Sequence, residues 1–366
     1  MIRVLHVFGG LNRGGAETMI MNIYRNIDRS KIQFDFVVHT DKECDYFNEI
    51  KSFGGKIFTV PKFKGSNFFQ YINAWNKMFE NHSEYKIIHG HVRSTASIYL
   101  SIAKKFGLRT IAHSHSVSSG SGFSALVKNI LQIPIRFKAD YLFACSLEAG
   151  KWLFGEEAVK SNKFKLIKNA IDINKYKFDM EKRSFIRDFY HLNDKYIIGH
   201  VGRFHPLKNH EFLIDVFNVV SKMREDAVLL LIGDGELQNI IAKKIKKMNL
   251  EDKVVFTGAI SNVHELMQAM DVFVFPSQAE GLGMVVIEAQ ASGLKCVVSD
   301  NIPNEAFISE ELIEIISLDT SEQIWAERIS NDPKGLSRIN NYEKVKMSGY
   351  DIEETSEFLE EFYAIM

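Results

Sequence analysis

Short apolar runs alternate with amphipathic stretches along the whole chain. In the first half the runs are IRVLHVF (2–8), FDFVVHT (34–40), KIFTV (56–60), KIIHGH (86–91), RTIAHS (109–114) and YLFACS (141–146). In the second half they are YIIGHVG (196–202), AVLLLIG (227–233), KVVFTG (253–258), VFVFP (272–276) and KCVVS (295–299). Helical periodicity fills the gaps, at Ala16–Ile27 and Phe68–Asn81, then at His210–Met223, Glu236–Met248, Val263–Ala269 and Met284–Ser292. Short buried strands separated by helices are βαβ units and predict parallel sheets. Two such series predict an α/β protein of two Rossmann-like, doubly wound domains. A polar stretch without strand character, 169–195, precedes the second series, and DIEETSEFLEEFYAIM (351–366) has the pattern of an acidic amphipathic helix. The expected division is 1–170, 171–350 and the terminal helix 351–366.

The chain has 366 residues, 46% hydrophobic and 25% charged, the composition of a folded protein with more than one core. No apolar run is long enough to span a bilayer, and MIRVLHVFGG is too short a run for a secretory signal. Three scattered cysteines with no CxxC pair fit a reducing compartment, so the expected location is the cytoplasm. Net charge is only −1, but residues 1–170 hold 24 Lys and Arg against 13 Asp and Glu, while 171–366 hold 21 against 33. The halves therefore carry +11 and −12, and the first is suited to an anionic partner. Within it, LVKNILQIPIRFK (126–138) mixes apolar and basic residues as interfacial segments do, with a core helix as the competing reading.

Ligands of open α/β sheets sit beyond the carboxyl ends of the strands, and the unusual residues fall there. GGLNRGGAET (9–18) follows the first strand, with Gly14 and Gly15 at the start of a helix whose N–H groups favour a phosphate or carboxylate. It matches neither GxGxxG nor a Walker loop. VGRFHPLKNH (201–210) places Arg203 and Lys208 on one turn, a planar fork and a point charge suited to a diphosphate. LLIGDGEL (229–236) ends a strand in a tight turn at Gly233. In EGLGMVVIE (280–288), Glu280 lies on a loop and Glu288 inside the following helix. That spacing suits two separate hydrogen-bonding tasks toward vicinal hydroxyls better than one metal. Each motif alone is also satisfied by a plain turn or a solvated charge.

Two HxH pairs, His89/His91 and His113/His115, end neighbouring strand candidates, and strand alternation puts both members of each pair on one face. HxH is a zinc-type donor pair, but no third ligand stands at HExxH or CxxC spacing.

In combination, GGLNRGGAE (9–17), GRFHPLK (202–208), GDG (233–235) and the E-x7-E motif (280–288) resemble the retaining glycosyltransferases of family 4, which have the GT-B fold. EAQASG (288–293) and PNEAF (303–307) extend the resemblance over nearly the whole chain. It implies a C-terminal domain for a nucleotide-sugar, an N-terminal domain for the acceptor and a final helix returning to the N-terminal domain. Arg203 and Lys208 are then expected to hold the donor diphosphate, Glu280 the sugar hydroxyls and Glu288 the ribose. Gly14 and Gly15 approach the diphosphate from the opposite wall, Gly233, Gly281 and Leu282 line the donor, and Glu305 lies near the leaving group. His115 is expected near the anomeric carbon, with His113 as close competitor. No DxD sequence occurs, so transfer is expected to need no metal and no other cofactor. The expected donor is a UDP-sugar and the acceptor a lipid-linked or free saccharide of a cell-surface polysaccharide, such as capsule or exopolysaccharide. An anionic membrane surface is a further expected partner, and no nucleic acid is. A GT-B-fold UDP-sugar 2-epimerase is the alternative. KNAIDI (168–173) departs from the family's PNGID, and the serine-rich SHSVSSGSGFS (114–124) has the composition of a mobile acceptor loop.

Overall fold

A computed structural model describes residues 1–116, 129–260, 262–331 and 338–366. The chain forms two compact units, Met1–Ile171 with Gly349–Met366, and Asp172–Ser348.

The first unit is built on seven parallel strands: β1 (Ile2–Phe8), β2 (Ile32–Val38), β3 (Ile57–Thr59), β4 (Ile87–Gly90), β5 (Arg109–Ser114), β6 (Tyr141–Ala144) and β7 (Phe164–Leu166), in the order β3-β2-β1-β4-β5-β6-β7. Every residue of β2 is buried, as expected of a strand covered on both faces. Its one carboxylate, Asp35, is fully satisfied: Arg3 donates two bonds of 2.6 Å, the Tyr85 hydroxyl one of 2.7 Å and the Lys56 amide one of 2.6 Å. The helix Phe68–Asn81 covers one face through Tyr71, Trp75, Met78 and Phe79. The other face is covered by the helix Gly15–Asn26 and by the terminal helix Ile352–Ala364, which buries Ile352, Leu359, Phe362 and Tyr363 in the same core as Met19, Ile23 and Phe34. Each such side chain contributes about 1.5–3 kcal/mol of burial. Asp351 caps the terminal helix through the Glu353 amide at 3.0 Å, and Phe362 meets Phe143 edge-on at 5.1 Å.

The second unit has six parallel strands: β8 (Tyr196–Val201), β9 (Ala227–Ile232), β10 (Val254–Gly258), β11 (Val272–Phe275), β12 (Lys295–Ser299) and β13 (Ile313–Ile316), in the order β10-β9-β8-β11-β12-β13. Asp271, just before β11, anchors this unit. It pairs with Arg183 and, at 3.3 Å, with Arg187, and it accepts the Ile197 amide at 2.6 Å. Both guanidinium groups and the carboxylate are buried, so the polar stretch 169–195 contains the helix Met180–Phe189, locked to the sheet by ion pairs. In both sheets the strand order reverses beside the first strand, at β1/β4 and at β8/β11, where crevices of doubly wound sheets open.

Two strands escape the hydrophobic pattern, β7 and β13; each is short and carries a charged residue, Lys165 or Glu314. The predicted strand at 34–40 lies at Ile32–Val38, and the predicted helix from Glu236 begins at Gln238, because the turn at Gly233–Gly235 must close first.

Candidate donor site and histidine cluster

Strand β8 delivers the loop Gly202–Asn209, and β11 delivers the loop 276–283, side by side at the carboxyl edge of the second sheet. Ser277 is fully buried and bridges them: its hydroxyl lies 2.8 Å from the Leu207 carbonyl and 2.6 Å from Glu280 Oε1. Ser299 Oγ, from β12, donates to the Ser277 carbonyl at 2.5 Å. Lys208 Nζ reaches Glu280 Oε1 at 2.5 Å and lies 4.8 Å from the centre of the Phe275 ring. The spacing of the motifs treated Lys208 and Glu280 as independent groups; the structure makes them one ion pair. Arg203, on the same loop as Lys208, is exposed, and no side chain among the described residues bonds its guanidinium.

Glu288 sits on the helix Met284–Ala291, which starts at Gly283 in the left-handed region (φ 84°). Its side chain is half-buried by area while its carboxyl group is enclosed, and burial pushes its pKa up to about 7 against the opposing hydrogen bond from Tyr176. Near neutral pH this carboxyl group can therefore both donate and accept. Gly281 is exposed and Leu282 half-buried on the loop between the two glutamates. Glu305 is exposed on a 3-10 turn, Asn304–Ala306.

Gly233 packs against the β8 loop. A Cβ there would lie 2.2 Å from the Gly202 carbonyl oxygen, and φ is 141°, so this glycine is required by a close backbone approach. Gly14 and Gly15 behave differently. Neither has positive φ; a Cβ at Gly15 would touch nothing within 4 Å, and one at Gly14 only the flexible end of Glu17.

Motif reading missed Gln290. It is fully buried, donates to the Ala306 carbonyl at 2.7 Å, and accepts the amides of Ile308 and Ser309 at 2.9 and 3.0 Å. It therefore holds the Glu305 loop on the helix that carries Glu288. Its apolar neighbours in EAQASG signalled only a buried helix.

In the first unit the two HxH pairs are joined by His6 of β1, whose register partner across β1/β4 is His89. Two triads, His6–His89–His91 and His91–His113–His115, bring one ligand atom each within 4.8 Å of one another, so the third imidazole absent from linear spacing is supplied by a neighbouring strand. His6 and His113 are buried, and His91 and His115 are half-buried at the carboxyl edge. Burial holds all five rings well below the usual histidine pKa, His6 and His115 down to about 3; Arg93 adds to the effect at His115. The rings are therefore neutral near pH 7.

Comparison with known proteins assigns this architecture. Residues 13–175 match the profile of Glycosyltransferase Family 4, and residues 182–331 that of Glycosyl transferases group 1. A putative glycosyltransferase, EpsF, of Bacillus subtilis is 37% identical over 340 residues, covering 90% of this chain and 87% of its own. The capsular polysaccharide biosynthesis glycosyltransferase CapH of Staphylococcus aureus is 24% identical over 99% of both chains. Among solved structures, Anabaena HepE in complex with UDP superposes with a TM-score of 0.80 at 19% identity over the full length of both chains. The chain belongs to the group 1, family 4 glycosyltransferases, and its fold is GT-B. It is a glycosyltransferase.

Proposed function

We propose that the chain transfers a sugar, with retention and without a metal ion, from a UDP-sugar to a saccharide carried on a lipid diphosphate, in the assembly of a cell-surface polysaccharide. The observation that carries this reading is the Lys208–Glu280 pair held by Ser277 at the carboxyl edge of β8 and β11. Lys208, together with the exposed fork of Arg203, offers positive charge to the departing diphosphate, where charge develops as the sugar–phosphate bond breaks. Glu280 accepts sugar hydroxyls, and the half-protonated Glu288 holds the ribose. Gly281, Leu282 and the loop at Gly233 line the donor, with Glu305 near the leaving group. Gly14 and Gly15 leave their helix terminus bare for an anion. The role at the anomeric carbon is assigned to His115, with His113 as the close competitor.

Two features of the first unit support an anionic, lipid-borne acceptor. Lys42, Lys62 and Lys64 line a cavity of about 510 Å³ beside His39, and none is ion-paired among the described residues. On the segment expected to be interfacial, residues 126–128 lie outside the described residues. The rest exposes Ile130, Ile133 and Phe137 at 58%, 50% and 73%, while Ile135 is fully buried in the core of the first unit, as the competing reading expects. Arg136 and Lys138 flank that apolar surface. No helix among the described residues is long and apolar enough to cross a membrane, so the proposed seat is peripheral. Of the expected serine-rich acceptor loop, 117–124 lies outside the described residues. A B. subtilis relative is named only as a glycosyltransferase, but one from Escherichia coli is named as a UDP-Gal galactosyltransferase acting on a diphosphoundecaprenol-linked sugar. The test is transfer from a panel of nucleotide sugars to a polyprenyl-diphosphate-linked sugar in the presence of EDTA, with the product anomer read by NMR. An inverted anomer, or transfer abolished by EDTA and restored by Mg²⁺, contradicts the reading.

A further inference from the structure

The five imidazoles on β1 and on or just past the carboxyl ends of β4 and β5 form two hydrogen-bonded rows. In one, His6 Nδ1 lies 3.1 Å from His91 Nε2, and His91 Nδ1 lies 2.7 Å from His115 Nε2. In the other, the Tyr363 hydroxyl of the terminal helix lies 2.7 Å from His89 Nδ1, and His89 Nε2 lies 3.1 Å from His113 Nδ1. The rows stack on each other, His89 on His91 at 4.4 Å and His113 on His115 at 4.0 Å between ring centres.

The protons in each row can be counted. A neutral imidazole has one N–H and one lone pair, and every contact joins the Nδ1 of one ring to the Nε2 of the next. The first row then has only two arrangements with one proton per contact: all three rings protonated at Nδ1, or all three at Nε2. Any mixture sets two hydrogens, or two lone pairs, head to head. The second row likewise has two arrangements: His89 and His113 both protonated at Nε2 with the Tyr363 hydroxyl donating, or both protonated at Nδ1 with the hydroxyl accepting. The rows end at buried nitrogens without a partner among the described residues: His6 Nε2, His115 Nδ1 and His113 Nε2.

We propose that His6 and His91 are positioning residues for sugar transfer: the row they form with His115 ties its tautomer to theirs, so that it changes only when all three rings change together. The His115 Nδ1 that ends the row is a donor or an acceptor only as the row as a whole is. This rests on the reading that His115 faces the reacting sugar. A divalent ion is the rival occupant, but tetrahedral zinc with Zn–N near 2.0–2.1 Å spaces its nitrogens about 3.3 Å apart. It would therefore have to open the 2.7 Å contact that now holds one proton.

The test uses the full chain labelled with ¹⁵N-histidine. Long-range ¹⁵N–¹H correlation should show one common tautomer for His6, His91 and His115, and one common tautomer for His89 and His113. Unlike tautomers within either row overturn the proposal. So does one equivalent of Zn²⁺ that survives dialysis and is lost in His113→Asn. Kinetics give the second arm. His91→Phe keeps the stack on Phe8, 4.2 Å away, but severs the row; His91→Gln restores a donor and an acceptor. His91→Phe should lower kcat at least about tenfold with the donor KM within about twofold, and His91→Gln should stay within about threefold of wild type. The reverse order marks a packing role and overturns the proposal. A crippled His115→Ala beside a normal His91→Phe refutes the positioning role alone, whereas wild-type turnover by His115→Ala refutes the reading of His115 itself.

Discussion

His6→Phe should make the protein more resistant to acid. The ring of His6 is fully buried, 4.2 Å from the Phe34 ring, and burial lowers its pKa to about 3 from the ordinary 6.5. Between those two values the unfolded chain binds a proton at this site that the folded chain does not. Stability therefore rises with pH through that window and is lost as pH falls below 6.5, at about 1.4 kcal/mol per pH unit. From pH 7.5 to 5 one such ring costs about 2 kcal/mol. His89, His91, His113 and His115 shift in the same direction for the same first cause. All five rings therefore weaken the first unit as the pH falls below the ordinary histidine range. In His6→Phe the phenyl ring joins Phe34 and Phe36 and one linked proton disappears. Urea unfolding followed by circular dichroism at pH 7.5, 6.5, 5.8 and 5.0 measures the difference. The variant should gain about 2 kcal/mol on wild type across that range. Parallel stability curves would refute the assignment of His6 as a neutral ring.

Two further substitutions test other parts of the structure. Asp271→Asn leaves the buried guanidinium groups of Arg183 and Arg187 without their carboxylate and should cost about 3–5 kcal/mol, read as a lower urea midpoint of the second unit. Gln290→Leu keeps the volume but strands the amides of Ile308 and Ser309; it should raise the donor KM with a smaller change in melting temperature, and an unchanged KM would show that the loop it holds does not meet the donor.

Much of the fold was legible because buried parallel strands leave continuous apolar runs, as in AVLLLI of β9 and YIIGHV of β8. β7 and β13 were not legible: three- or four-residue edge strands with a charge do not stand out from loops. At the candidate donor site, the residue types and their strand-end placement could be read, but their pairing could not. Ser277 is an ordinary residue until β8 and β11 become neighbours, and Tyr176 lies more than a hundred positions from the glutamate it bonds. His6 was hidden for the same reason. It reads as one polar residue in a strand, and only the β1/β4 register brings it to the HxH pairs.

Titration of UDP into the wild type and into Lys208→Ala, both in EDTA, tests the donor site most directly. Wild type should bind UDP without a metal. Loss of one charge-assisted bond of about 1.5–3 kcal/mol should weaken binding in the variant by roughly tenfold to a hundredfold. Equal affinity in the two proteins would show that the Lys208–Glu280 pair does not grip the nucleotide.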